Sequence, residues 1–335
     1  MNQKECEAFD GHMKNDLLKF LIFTAAVLAA PVFLSGGYLI NVFIFVGIYT
    51  ILAVALNMLL GLAGQISLGQ AAFFGLGAYI SGILTATCAA NPWFSMVIAV
   101  VAVGVIAFII GFPILKLKGH YLAMATLGMG IIVYITFNET VDLTGGPSGL
   151  PGIPRLSLGG IVFDNDLKSY YLVWFFTIVI ILLSVNLSSS RIGRALRAIH
   201  DSEVADRILG VNARLLKVQI FAISGMFSAL AGSLYAHTVT FISPTSFGFN
   251  VSIELLTMVI IGGLGSIYGS FLGAAILTLL PEFFRTFQDY DIIVYGITLI
   301  VITMYMPGGL VRGVPLLVVS LFKRWQTSAP SEKDG

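Results

Sequence analysis

Residues 38–60 read YLINVFIFVGIYTILAVALNMLL, a run without Asp, Glu, Lys or Arg. A helix rises about 1.5 Å per residue and the hydrocarbon core of a bilayer is about 30 Å thick, so about 20 such residues cross it. The run therefore predicts a transmembrane helix. Outward from it, nine further apolar runs follow, at Leu17–Ser35, Gln65–Ala86, Trp93–Leu115, Tyr121–Asn138, Tyr170–Leu187, Leu215–Ala236, Val251–Gly263, Ser266–Pro281 and Ile292–Met306. Several are short or broken by glycine, around Gly61 and Gly64 and around Gly262 and Gly265, so adjoining pieces read as half-helices as readily as full spans. The fold expected is an all-α polytopic membrane protein with about ten transmembrane helices, in a range of about eight to twelve.

Composition points the same way. Of 335 residues, 57% are hydrophobic and 10% charged, with a mean hydropathy of +0.95, whereas soluble domains carry about 25% charged residues. One water-surrounded core could not hide so much apolar surface. A net charge of +1 and the lack of a basic stripe with interleaved aromatics exclude a nucleic-acid partner and leave membrane lipid as the surrounding medium. Cys6 and Cys88 form neither a disulfide framework nor a metal site, and the four histidines have no metal-ligand spacing. The polar segment Met1–Asp16 precedes an apolar run with no small-residue cleavage site, so that run reads as a retained span.

Lys and Arg set the orientation, because cytoplasmic loops retain positive charge. Alternating ten spans from a cytoplasmic N-terminus leaves Arg155, Lys168 and Arg285 outside and the other 15 of the 18 basic residues inside. Both termini are thus expected in the cytoplasm. The organisation expected is a cytoplasmic tail at 1–16, a transmembrane domain at 17–306 and a second cytoplasmic tail at 307–335. Two connections are too long for turns. The outer one, 139–168, contains TGGPSGLPGIP at 144–154, which excludes a continuous helix; with Gly146, Pro147, Pro151 and Pro154 it is expected to form an ordered docking surface. The inner one, 188–217, reads as two short helices. Ile192, Leu196 and Ile199 mark one apolar face, and Val204, Ile208 and Val211 another. Glu203 suits the second helix's N-terminus and pairs with Arg207 one turn on, and Gly210 suits its end.

Four stretches, NMLLGLAGQISLGQAAFFGLGAY at 57–79, YLAMATLGMG with LTGGPSGLPG in 121–152, GRALRAIHDSEVADRILG at 193–210 and SIELLTMVIIGGLGSIYGSFLG at 252–273, give the chain its resemblance to the permease subunits of branched-chain amino-acid ABC transporters. They stand in family order across about residues 40 to 285. The resemblance implies an all-helical half of an importer in the bacterial inner membrane. It also implies a second permease subunit, two cytoplasmic ATPase subunits holding ATP and Mg, and an extracytoplasmic solute-binding protein. Glu203, Ala205, Asp206, Arg207 and Gly210 resemble the ATPase-coupling segment, although Gly follows Glu by seven positions here, against six in the common form. No GxxxxGK[ST] sequence occurs, so this chain carries no nucleotide cofactor of its own. Substrates other than Leu, Ile and Val, such as urea or short amides, remain open to a permease of this kind.

Within the apolar runs, Glu254 is the only Asp, Glu, Lys or Arg between Lys217 and Glu282. An intramembrane carboxylate is a functional candidate, here for the pathway or a gate; its other reading is a residue close enough to the outer end to reach water. The segment GLAGQI at 61–66 is echoed by GGLGSI at 262–267, so Gly262 and Gly265 are gate candidates or close packing points. Asn57, Gln65, Ser67 and Gln70 either face the pathway or tie helices together. An ion-coupled carrier using Glu254 is a rival reading, but it needs no cytoplasmic docking helix. Gly146-Pro147-Ser148-Gly149 matches the GxSG of intramembrane serine proteases, yet lies in a proline-rich loop, and GGLGSIYG lacks the βαβ setting of a dinucleotide site. No catalytic residue is expected.

Overall fold

The computed structural model describes residues 23–25, 27–31, 37–158, 161–201 and 212–284, with isolated positions at 296, 300 and 304. Helix α1 (Gly37–Asn57) runs into a π-helical turn at Met58–Leu62; then come α2 (Gln70–Ala86), α3 (Pro92–Ile114), α4 (His120–Glu139) and the single turn α5 (Val141–Thr144). After α6 (Asp166–Ser189) follow α7 (Arg191–Asp201), α8 (Ala213–Val239), α9 (Phe249–Gly262) and α10 (Ile267–Phe284). Two antiparallel pairings of two residues each interrupt the helices: β1 (Leu150–Pro151) pairs with β4 (Phe241–Ile242), and β2 (Ser157–Leu158) with β3 (Ile161–Val162).

Among the described residues, six helices are long and apolar enough to cross a membrane: α1 with its π turn, α3, α4, α6, α8 and the segment Pro244–Gly262 that ends in α9. Helices α2 and α10 are apolar but shorter. The runs 17–35 and 292–306 lie mostly outside the described residues. One expectation is corrected here: the run from Gln65 to Ala86 is not helical throughout. Gly64 adopts φ +62°, and the chain reaches helical geometry only at Gln70, after Gly69 has packed onto Met129 and the Thr126 carbonyl.

Helix ends follow local chemistry. Asn91 Oδ1 accepts from the Trp93 amide at 3.0 Å and Pro92 opens α3, while Asn212 Oδ1 accepts from the Leu215 amide at 3.1 Å at the start of α8. Arg194 and Arg197 donate to the carbonyls of Ser189 and Ser188, which end α6.

Helix α1 is apolar on every side and is correspondingly central, with Val46 and the segment from Ile51 to Leu56 fully buried. Around it, glycines bring backbones together. A Cβ at Gly77 would lie 2.3 Å from the Ala229 carbonyl oxygen and one at Gly232 would lie 2.0 Å from that of Phe74, so α2 and α8 touch backbone to backbone. The same holds for α9 and α10, where a Cβ at Gly273 would lie 1.9 Å from the Met258 carbonyl oxygen. Lipid tails supply no hydrophobic drive between helices, so this close approach is what bonds them. By contrast α3 presents Phe94, Val97, Val101, Val105 and Ile109 outward.

Gly232→Val is expected to lower the unfolding midpoint of the detergent-solubilised protein, by about 1 to 3 kcal/mol of overpacking. Gly128→Val, where a Cβ meets nothing within 4 Å, is expected to leave the midpoint nearly unchanged. Equal effects at both positions would show that the α2–α8 contact does not limit stability.

Candidate functional site

Two helix breaks meet at one end of the bundle. A Cβ at Gly61 would lie 2.4 Å from Gly265 Cα, so the echoed segments are packed on one another. Gly64 and Gly265, which occupy the same place in the two segments, have φ of +62° and +76°, a left-handed conformation that costs other residues roughly 1–2 kcal/mol. Asn57 joins the breaks. Its Nδ2 donates to the carbonyls of Gly263 and Ser266, at 3.3 and 2.9 Å, and to Ser270 Oγ at 2.8 Å. Its Oδ1 accepts from the Gly265 amide at 2.8 Å. Gly262 packs on the Gly269 carbonyl, which a Cβ would approach to 2.1 Å.

Helix α7 rests on this junction. Leu196 and Ile199 are buried, whereas Ile192, expected on the same face, is exposed: it borders an open cleft with Leu187, Gln219, Ile220 and Ile223 that no described residue fills. At the end of α7, His200 covers Gly64, where a Cβ would lie 1.9 Å from the ring nitrogen Nδ1. Glu203, Ala205, Asp206, Arg207 and Gly210 lie outside the described residues.

The other polar candidates lie above the breaks. Gln70 is fully buried, and its Nε2 donates to Ser224 Oγ and Ser228 Oγ, both at 2.7 Å. Among the described residues its Oε1 has no partner, nor has the buried Oε1 of Gln65. Both are open acceptors in apolar surroundings, and leaving such a group unmatched costs about 1–3 kcal/mol. Ser67 Oγ accepts from the Gly69 amide at 3.4 Å. Beside the start of α2, a small cleft of about 10 Å³, room for about one water, is lined by Leu68, Ala71, Leu127, Ile131, Phe247 and Ser252. Phe247 closes its far side within an aromatic cluster, 5.0 Å from Phe74 and 5.7 Å from Tyr79 between ring centroids. Glu254 stands on α9, half-buried and without a hydrogen bond or ion pair among the described residues.

At the opposite end, Pro147, Pro151 and Pro154 are exposed and Gly146 is buried, held by its amide's bond to Thr144 Oγ1 at 3.1 Å. Trp93 Nε1 donates to the Ser157 carbonyl at 2.7 Å, and Lys168 Nζ to Asp164 Oδ1 at 2.9 Å, which holds the Asp164 carboxyl below its usual pKa. Sequence reasoning missed Ser224, Ser228, Ser252, Phe247 and the buried partners of His237. The spacing of Ser224 and Ser228, one helical turn apart, was the available signal; the others come together only across helices distant in sequence.

Residues 38–303 match the family described as branched-chain amino acid transport system / permease component. The high-affinity branched-chain amino acid transport system permease protein LivM of Escherichia coli K12 is 32% identical over 90% of this chain and 76% of its own length. BraD of Pseudomonas aeruginosa, a permease protein of a system of the same description, is 25% identical over 78% of this chain and 91% of its own. LivH of Escherichia coli K12, also such a permease protein, is 25% identical over 78% and 90%. No solved structure matches.

Gly64→Ala is expected to destabilise the protein through both its left-handed backbone and its clash with His200. Adding His200→Ala should recover all but about 1–2 kcal/mol, the backbone share, as read from unfolding midpoints of the single and double variants. Strict additivity would remove the contact.

Proposed function

Because the chain belongs to the branched-chain amino-acid transport permease family, we propose that it is one permease half of an ABC importer carrying Leu, Ile and Val across the bacterial inner membrane. The observation that carries this reading is the family match over residues 38–303. LivM and LivH are two permease proteins named for one kind of system in one organism, which supports a second permease subunit beside this one. The sequence holds no phosphate-binding GxxxxGK[ST] loop, which supports hydrolysis of ATP, with its Mg, on two separate cytoplasmic ATPase subunits. An extracytoplasmic binding protein delivers the substrate. In this reading about ten spans leave both termini in the cytoplasm. The end that carries Pro147, Pro151 and Pro154 then faces outward, and the glycine junction faces inward.

The mechanism follows from what touches what. The coupling residues Glu203, Ala205, Asp206, Arg207 and Gly210 come directly after α7 in sequence. A displacement of that segment by the ATPases passes into α7, whose Leu196, Ile199 and His200 bear on the first glycine break. Gly61 hands it to Gly265, and the paired breaks shift α2 and α10 together. Gln65, Ser67, Gln70 and Glu254 are then the polar groups available to a zwitterionic substrate, with Gly262 and Gly265 at the inner gate. Leu68, Leu127 and Ile131 line the small cleft beside α2 and are of the kind that suits an aliphatic side chain, which the cleft admits only once it widens.

Uptake of radiolabelled leucine in cells lacking only this chain should fall, in a manner that excess isoleucine or valine mimics by competition in the parent strain and urea does not. Competition by urea alone would move the substrate class. Glu254→Gln is expected to reduce uptake several-fold with unchanged membrane insertion, and normal kinetics would return Glu254 to a structural role. Gly210→Pro, or charge reversal at Glu203, should abolish ATP-dependent uptake while leaving the protein inserted; transport that survives ATPase removal but not collapse of the ion gradient would favour an ion-coupled carrier instead.

A further inference from the structure

A chain of hydrogen bonds crosses the bundle beneath the outward loop. Ser233 Oγ donates to Ser81 Oγ at 2.7 Å, Ser81 Oγ lies 2.7 Å from His237 Nε2, and His237 Nδ1 lies 2.7 Å from the Pro154 carbonyl oxygen. A carbonyl only accepts, so Nδ1 carries the proton, Nε2 is the acceptor and Ser81 donates to it. All three side chains are buried. The ring is thus held from both sides, and it holds the loop in turn.

The loop is fastened around this point. Leu150 and Pro151 pair with Ile242 and Phe241, and the Ile153 amide donates to the Thr240 carbonyl at 3.3 Å. Leu150, Ile153 and Ile242 pack over Gly82 of α2. Pro151 and Pro154 stay on the surface. At its other end α8 begins at Ala213, capped by Asn212, three positions after Gly210. Its 27 residues make a rod about 40 Å long, locked to α2 through the contacts of Gly77 and Gly232.

We propose that His237 is the positioning residue that fixes the outward proline surface to α8, the helix whose opposite end starts at Ala213, three positions after Gly210 in sequence. Movement at the surface when a loaded binding protein arrives is then delivered along α8 to the coupling segment. The joint stands on the hydrogen bonds alone; the delivery rests on the importer reading above.

Two variants separate shape from bonding in the complete transporter held in nanodiscs. His237→Phe keeps a ring without a donor, and His237→Asn keeps an N–H near the Nδ1 position. Trypsin cleavage after the exposed Arg155, followed by mass spectrometry, is expected to accelerate about tenfold in the Phe variant, as for loss of one hydrogen bond, and to stay near the unaltered rate in the Asn variant. Equal rates in the unaltered and Phe proteins, or equal acceleration in Phe and Asn, would overturn the joint. Should the Phe variant not accumulate, Ser81→Ala frees the ring at Nε2, and a smaller acceleration is expected from it. The second readout is the concentration of leucine-loaded binding protein that half-saturates ATP hydrolysis, expected to rise about tenfold in the Phe variant and to recover in the Asn variant. Accelerated cleavage with an unmoved half-saturating concentration would overturn the delivery along α8 while the joint stands. No stimulation of the unaltered transporter would overturn the importer reading itself.

Discussion

The amide of Asn57 stands between two broken helices in a region where water does not supply hydrogen bonds. A helix break frees backbone N–H and C=O groups, and in apolar surroundings each must find a partner within the protein. Asn57 offers one side chain with donors and an acceptor on a short stem, and it meets the carbonyls of Gly263 and Ser266, the amide of Gly265 and the hydroxyl of Ser270. The breaks can therefore exist, and can lie against each other, because this amide closes the exposed valences of the second break. Gly61 and Gly265 complete the fit by carrying no Cβ where the two backbones cross.

Around that junction the molecule divides by packing. Helices α2 and α8, and α9 and α10, are in backbone contact through glycine, which makes each pair a stiff unit. Helix α3 turns one apolar side outward but packs closely on α8 with the other, where a Cβ at Gly104 would lie 2.6 Å from Met226 Cγ; helix α4 is held less tightly, with much of its apolar surface turned outward. In the importer reading proposed above, the stiff pair α2 and α8, which meets α7 at one end and the 139–168 loop at the other, is the element able to carry a displacement between them. The division also resolves the double meaning of the glycines. Gly77, Gly232 and Gly273 serve close approach, whereas Gly64 and Gly265 supply the left-handed backbone that a break requires.

Much of the candidate site was legible because its chemistry was out of place. Asn57, Gln65, Gln70 and Glu254 are polar residues in apolar runs, and the echo of 61–66 in 262–267 placed Gly64 and Gly265 at equivalent positions. Their partners were not legible. Ser224 and Ser228 lie more than 150 residues from Gln70, and serines are common enough in membrane helices that spacing alone does not single them out. The tie from His237 to Pro154 was hidden for the same reason. Ile192 was assigned to the buried face of α7 by its spacing, but spacing fixes only the direction of a side chain and not how far the neighbouring helix extends to cover it.

The sequence by itself determined that this chain lives in a bilayer, since an apolar run long enough to cross it needs no partner to be read. It also determined where helices cannot continue, because proline and glycine act on their own backbone. The resemblance carried in four stretches anticipated the family. Tertiary structure alone decided that the two glycine breaks touch, that α7 rests on one of them through His200, and that the Pro154 carbonyl is held by a buried histidine. These are contacts between segments far apart in the chain, and their distances are set by how closely whole helices approach, a quantity no local pattern of residues contains.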